Sequence, residues 1–180
     1  LPISINSGGS LAINDGILII SSADDGLHAD AALGVNGGQI SIAKSYEGIE
    51  SNSVIVINGG SIYIVSSDDG VNIAGAGGGA GMGGWIGGGG MGGVSTSGSY
   101  YLYINAGYMV INAAGDGIDV CGSIVVTGGE ILVNGPTENM NGALDCDGSF
   151  QVTGGFLVAA GSSGMAEAPG TTSTQCSVLV

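Results

Sequence analysis

The stretch SVIVINGGSIYIVSSDDGVNI, residues 53–73, decides the fold of this chain. Apolar side chains alternate with small or polar ones around Ile55, Ile57, Ile62 and Ile64, the period of two that marks strands. Asn58-Gly59-Gly60 and Asp69-Gly70 break the alternation with turn residues. No helical period runs through it.

The same template occurs twice more upstream at a constant offset of 22 residues. Gly26, Gly48 and Gly70 each follow an acidic residue and precede Leu27, Ile49 or Val71. Leu11, Ile13 and Asn14 map onto Leu33, Val35 and Asn36, and then onto Ile55, Ile57 and Asn58. Downstream the pattern resumes at Gly117 after a glycine-rich insertion, residues 74–99, and two looser copies begin at Ser123 and Ser149. Strand-only repeats this short bury a face only by stacking on one another, which predicts an all-β parallel β-helix (solenoid) of about six coils of about 22 residues, residues 1–180 forming one domain. A β-sandwich also has regularly spaced strands, but it does not need one residue type at one turn in every copy. Asn14, Asn36, Asn58 and Asn105 are expected to form a ladder of side-chain amides along the axis.

Stacking places equivalent residues of neighbouring coils about 4.8 Å apart. Asp25, Glu47, Asp69 and Asp116 then form one acidic column, with Asp24 and Asp68 just before two of its members. His28, Glu50, Asn72 and Asp119 form a second column three residues later, with Asp30 nearby. Two bare carboxylates at that spacing repel by roughly 3–4 kcal/mol at an effective dielectric of about 20. Protonation, solvent or bound cations must relieve them, and converging hard oxygens suit Ca²⁺. For a single Asp-Gly an ordinary solvated turn is the better reading; the four-coil register favours a metal. His28 stays outside the expected ligand set, because calcium prefers oxygen.

Fifteen acidic residues face one lysine, Lys44, and no arginine, for a formal net charge of -14. Such a chain lacks the cationic footprint that nucleic acid requires, and its natural complement is a cation. No apolar run approaches the length of a membrane span, so membrane insertion is not expected. A hydrophobic fraction of 44% argues against disorder despite 39 glycines. The opening Leu1-Pro2 reads as a trimmed product, and both ends are expected to fall within a coil, with residues 177–180 repeating the strand that begins at Ser53. An uncapped end is an open edge that invites pairing, so an oligomer or filament is a natural partner state.

Cys121, Cys146 and Cys176 leave one thiol over in any pairing; buried free thiols and one disulfide between neighbouring coils both remain open. Trp85, Tyr101 and Tyr103 are candidate sugar-binding aromatics, with core packing as the alternative for the tyrosines.

The segments SSADDGLHAD, GGQISIAKSYEGIES, GGSIYIVSSDDGVNIAG, AGDGIDVCGSIVVTGG and MAEAPGTTSTQCSVLV together resemble the secreted bacterial proteins described as carbohydrate-binding domain-containing proteins. The fold is also similar to that of family-nine pectate lyases. This resemblance implies a right-handed parallel β-helix, secretion or display at the cell surface, calcium held by acidic turns, and adhesion to plant cell-wall polysaccharides such as cellulose or pectin. By motif it carries the metal role to Asp24, Asp25, Glu47, Glu50, Asp68, Asp69, Asp116 and Asp119. Glu47 in place of Asp, Gly115 where Asp24 and Asp68 stand, and Asn141 at the end of the column depart from the pattern.

Three function classes follow. A calcium-stabilised polysaccharide-binding module is the leading one, and a filament subunit built by stacking coils is the alternative. A pectate-lyase-like enzyme needs a base beside the metal, for which Lys44 is the candidate. A lysine paired with a nearby carboxylate is the stronger reading of Lys44, so no catalytic residue is expected.

Overall fold

The computed structural model describes residues 4–75 and 100–180. Coil 1 holds β1 (Ile5–Ser7), β2 (Leu11–Ile13) and β3 (Ile17–Ser21), and coil 2 holds β4 (Leu27–Ala29), β5 (Ala32–Val35) and β6 (Gln39–Lys44). Coil 3 comprises β7 (Ile49–Ser51), β8 (Val54–Ile57) and β9 (Ser61–Ser66); coil 4 comprises β10 (Val71–Ile73), β11 (Tyr101–Ile104) and β12 (Tyr108–Ala113). Coil 5 has β13 (Ile118–Val120), β14 (Ser123–Val126) and β15 (Glu130–Asn134), and coil 6 has β16 (Leu144–Cys146), β17 (Phe150–Val152) and β18 (Phe156–Ala160). Each coil gives one strand to each of three parallel sheets, β1-β4-β7-β10-β13-β16, β2-β5-β8-β11-β14-β17 and β3-β6-β9-β12-β15-β18. The expected all-β solenoid of six coils is what forms. The glycine-rich insertion lies almost wholly outside the described residues, as does Trp85.

Alternation along each strand sends every second residue into the shared core. In the first sheet Leu27, Ile49, Val71, Ile118 and Leu144 stack inward, coil on coil, all of them buried. The residues one step later, His28, Glu50, Asn72, Asp119 and Asp145, therefore share the outer face. Truncating one inward isoleucine, each worth about 2–5 kcal/mol when cut to alanine, would open a void between two coils. The hydrophobic stack sets the spacing at which the acidic columns must live.

Two glycine columns make the corners. Gly16, Gly38, Gly60, Gly107, Gly129 and Gly155 all hold positive φ, between 89° and 110°, where a side chain is strained. Gly26, Gly48, Gly70 and Gly117 serve closeness instead: a Cβ on Gly48 would lie 2.3 Å from the Gly70 carbonyl oxygen. The backbone after each acidic turn thus rests directly on the next coil.

The Asn ladder forms as expected. Asn36 donates to Asn14 at 2.8 Å, Asn58 to Asn36 at 2.8 Å and Asn105 to Asn58 at 2.9 Å, and the Thr127 hydroxyl extends the series by donating to Asn105 at 2.8 Å.

The last coil departs from the expected register. Ile118 pairs with Leu144, so Ala143 rather than Gly142 sits beneath Gly117, and Gly142 rather than Asn141 follows Asp116 in the first acidic column. A coil matched on glycine alone slips by one where alanine takes the corner. The same slip sets Cys146 opposite Val120 and leaves Cys121 beyond its strand; all three cysteines are free thiols. Residues 177–180 form no strand, and Val178 and Val180 are exposed. The preceding segment covers β17 irregularly, Gly170 donating to the Phe150 carbonyl and Thr174 to that of Val152. Among the described residues no helix is long and apolar enough to cross a membrane.

Candidate metal centre

Each acidic corner precedes a strand of the first sheet. The first column, Asp25, Glu47, Asp69 and Asp116, stands two residues before the strand's inward residue, and the second column stands one residue after it. Part of the first column is tied to backbone: Asp25 accepts from the Glu47 N–H at 3.4 Å, Asp69 from the Asp116 N–H at 2.7 Å, and Asp116 from the Gly142 N–H. Each of these aspartates therefore clamps its coil to the next while keeping a second oxygen for other partners.

The columns gather into two clusters. Asp25, His28 and Glu50 bring one ligand atom each to within 4.8 Å of one another in coils 2 and 3, and Asp69, Asp116 and Asp119 do the same in coils 4 and 5. Of the residues that spacing singled out, Asp25 and Glu50 meet in the first cluster and Asp69, Asp116 and Asp119 in the second. Glu47 borders the first cluster with its Oε2 buried and without a hydrogen-bond partner. Asp24 is exposed, and Asp68 is half-buried and accepts from the Tyr46 hydroxyl, which raises that phenol to about 12. Neither belongs to a converging group.

In the first cluster His28 is the centre. Its Nδ1 faces Glu50 and also Asp25, the latter at 3.5 Å, and its Nε2 lies 3.0 Å from Asp30. Burial works against a charged ring, but the bonds to Asp30 and Glu50 outweigh it and raise the imidazole above its ordinary value. Burial, reinforced by Glu50 and Asp24, raises Asp25; burial and the charges of Glu50 and Asp25 raise Glu47. Every ion pair among the described residues centres on His28, and Lys44, exposed at the end of β6, joins none. The pairing expected of Lys44 does not form, because its strand ends on the third sheet's corner, ahead of the acidic turn.

The second cluster has no cation. Burial pushes Asp119 up to about 7, helped by the charges of Asp69 and Asp116. Burial likewise pushes Asp69 up to about 6 although the Asp116 N–H opposes it. Asn72 stands between Glu50 and Asp119 in the second column, only 6% exposed, and its Oδ1 has no hydrogen-bond partner. The Asn72 side chain hydrogen-bonds Glu47, which leaves an orphaned buried carbonyl one strand from Asp119 and its crowded neighbours, a lack that a hard cation would satisfy.

Sequence reasoning named Asn72 as a member of the column without giving it a role, and it left out Asp145, which continues the column below Asp119. The slipped register hid Asp145. Tyr101 and Tyr103 lie on the outer face of the second sheet, half-buried, their rings stacked on each other at 5.3 Å and 15°. More open aromatics went unnoticed: Tyr63, 45% exposed, and Tyr108, 41% exposed, stand on adjacent strands of the third sheet's outer face. Ile17 and Ile19, also exposed, lie on the same face in coil 1, beyond Gln39 and Ser41 of coil 2.

Residues 2–48, which span the first two coils and the Glu47 corner, match the family model of the carbohydrate-binding domain-containing protein. No curated protein and no solved structure matches the chain.

Proposed function

We propose that this chain is an extracellular polysaccharide-binding β-helix, acting by adhesion rather than catalysis, whose acidic columns are closed by calcium where they converge in coils 4 and 5. The family match over coils 1 and 2 supports the carbohydrate partner. Calcium rests on one juxtaposition: the buried, unpartnered Asn72 Oδ1 belongs to the strand next to Asp119, whose carboxylate converges with those of Asp69 and Asp116. The donor set fits, being three carboxylates and one amide oxygen, all hard ligands. Those four residues would hold the ion. Its chemistry here is charge neutralisation, which joins coil 4 to coil 5 where the protein offers no cation of its own.

The exposed Tyr63 and Tyr108 faces, on a sheet that also presents Ser61 and Gln39, suit a neutral sugar chain better than the mutually stacked Tyr101 and Tyr103. Among plant cell-wall glycans, neutral cellulose suits this face directly, whereas anionic pectin would need calcium between its carboxylates and those of the protein. A lyase would need a base beside the metal, and Lys44 engages neither cluster.

Retention on insoluble polysaccharide is the test. Binding is expected with calcium and to weaken on chelation, whereas a Tyr63→Ala, Tyr108→Ala double variant should lose retention while keeping its calcium-dependent melting point. Retention by neither protein on any such polymer would refute adhesion.

A further inference from the structure

We infer that the first cluster is a separate site for a borderline transition-metal dication, with Zn²⁺ as the representative, ligated by His28 Nδ1, Asp25 and Glu50. The three donors come from two coils and their ligand atoms converge within 4.8 Å. One imidazole nitrogen with two carboxylates is a donor set that zinc takes with three protein ligands and one open position, and it is softer than the all-oxygen set of the second cluster.

The orientation of the ring is the second support. Asp30 Oδ1 lies 3.0 Å from His28 Nε2, so Nε2–H donates there, and Nδ1, which a metal would take in place of its proton, faces Asp25 and Glu50. A carboxylate behind the ring, fixing the tautomer of the nitrogen in front, is how proteins present histidine to a metal. Without the metal, both ring nitrogens face carboxylates, an arrangement that only the doubly protonated ring fills with donors. The buried Glu47 Oε2, without a partner, borders the same site. The inference does not require the second cluster to bind calcium.

The chain contains one histidine, so its ring signals are unambiguous. One equivalent of Zn²⁺ added to the ¹⁵N-labelled protein should shift the Nδ1 resonance strongly and Nε2 little. His28→Asn places at this position the residue that the same column already accepts at Asn6 and Asn72, so the coil should be retained. It should lower Zn²⁺ affinity at least about tenfold by calorimetry, and Asp30→Asn should lower it by about 10–100-fold through loss of ring orientation. Zinc captured by Cys121, Cys146 or Cys176 would leave the ring signals unmoved. Ring signals unmoved at saturating Zn²⁺, or equal affinity in wild type and His28→Asn, would overturn the inference. If His28→Asn fails to fold, the wild-type ring signal and Asp30→Asn decide it.

Discussion

Asp25, His28, Glu47 and Glu50 stand in the same four register positions as Asp69, Asn72, Asp116 and Asp119, two coils further along the helix. The backbone is the same at both places: a glycine corner pressed on the next coil, then a three-residue strand. One difference in side chain changes the electrostatics. In the first group an imidazole sits among the carboxylates and, when protonated, donates to them from both nitrogens. In the second an amide stands there, its oxygen orphaned, and the carboxylates have only backbone N–H groups for relief. The solenoid supplies positions, and the residue at each position determines how far the charge of the metal-free protein is met from within.

The largest expected effect separates the groups by sign. Asp119→Asn removes a charge that burial and its neighbours already disfavour, so it should raise the melting temperature of the calcium-free protein and abolish the gain on adding calcium. At calcium one hundred times above its dissociation constant that gain is about 2.7 kcal/mol in the wild type. Glu50→Gln should instead lower the melting temperature in the absence of metal, because it removes a partner of His28, and leave the calcium gain intact. Thermal melts of both variants with and without calcium check this, and a common sign would dissolve the contrast.

The next effect is on pH. Asp69 and Asp119 rise from 3.8 to about 6 and about 7, so between about pH 4 and 7 the calcium-free folded state holds protons that the unfolded chain has released. Their stabilising contribution is complete below the unfolded value and is lost as pH rises through the folded one. His28, also raised, has the same sign. Denaturation of the calcium-free protein at pH 5 and pH 8 should therefore show greater stability at pH 5, and saturating calcium should flatten or reverse the trend. A calcium-free protein more stable at pH 8 would contradict the crowding of the second group.

The smallest effect concerns a ladder that bears no charge. Asn58→Ala removes one amide from between Asn36 and Asn105, at exposed positions, and should cost about 0.5–1.5 kcal/mol. Calcium response should be unchanged. A loss as large as that at Asp119 would mean that coil stacking rests on the amides as much as on the acidic face.

Much of this was legible in one dimension. The offset of 22 between Gly26, Gly48 and Gly70 specified coils, alternation around Ile55 and Ile62 specified which side faced the core, and both acidic columns followed from those two facts. Reading failed where the repeat itself loosened. Coil 6 keeps the strand pattern but puts Ala143 at the corner, and a reading anchored on glycine lost Asp145 and misplaced Cys146 by one residue. A shift of one residue exchanges the two faces of a strand, so small errors there are total.

Local chemistry along the chain thus settled period, pleat and the existence of the acidic face, because those depend on residue type at fixed spacing. Which oxygens converge, that His28 turns into one group with Asp30 behind it, and that Asn72 is buried without a partner were set by coil stacking. The contacts between coils that build them join residues 22 or 47 apart in sequence. Distances of a few ångströms between such residues exist only after the core has closed, and electrostatic energies depend on those distances.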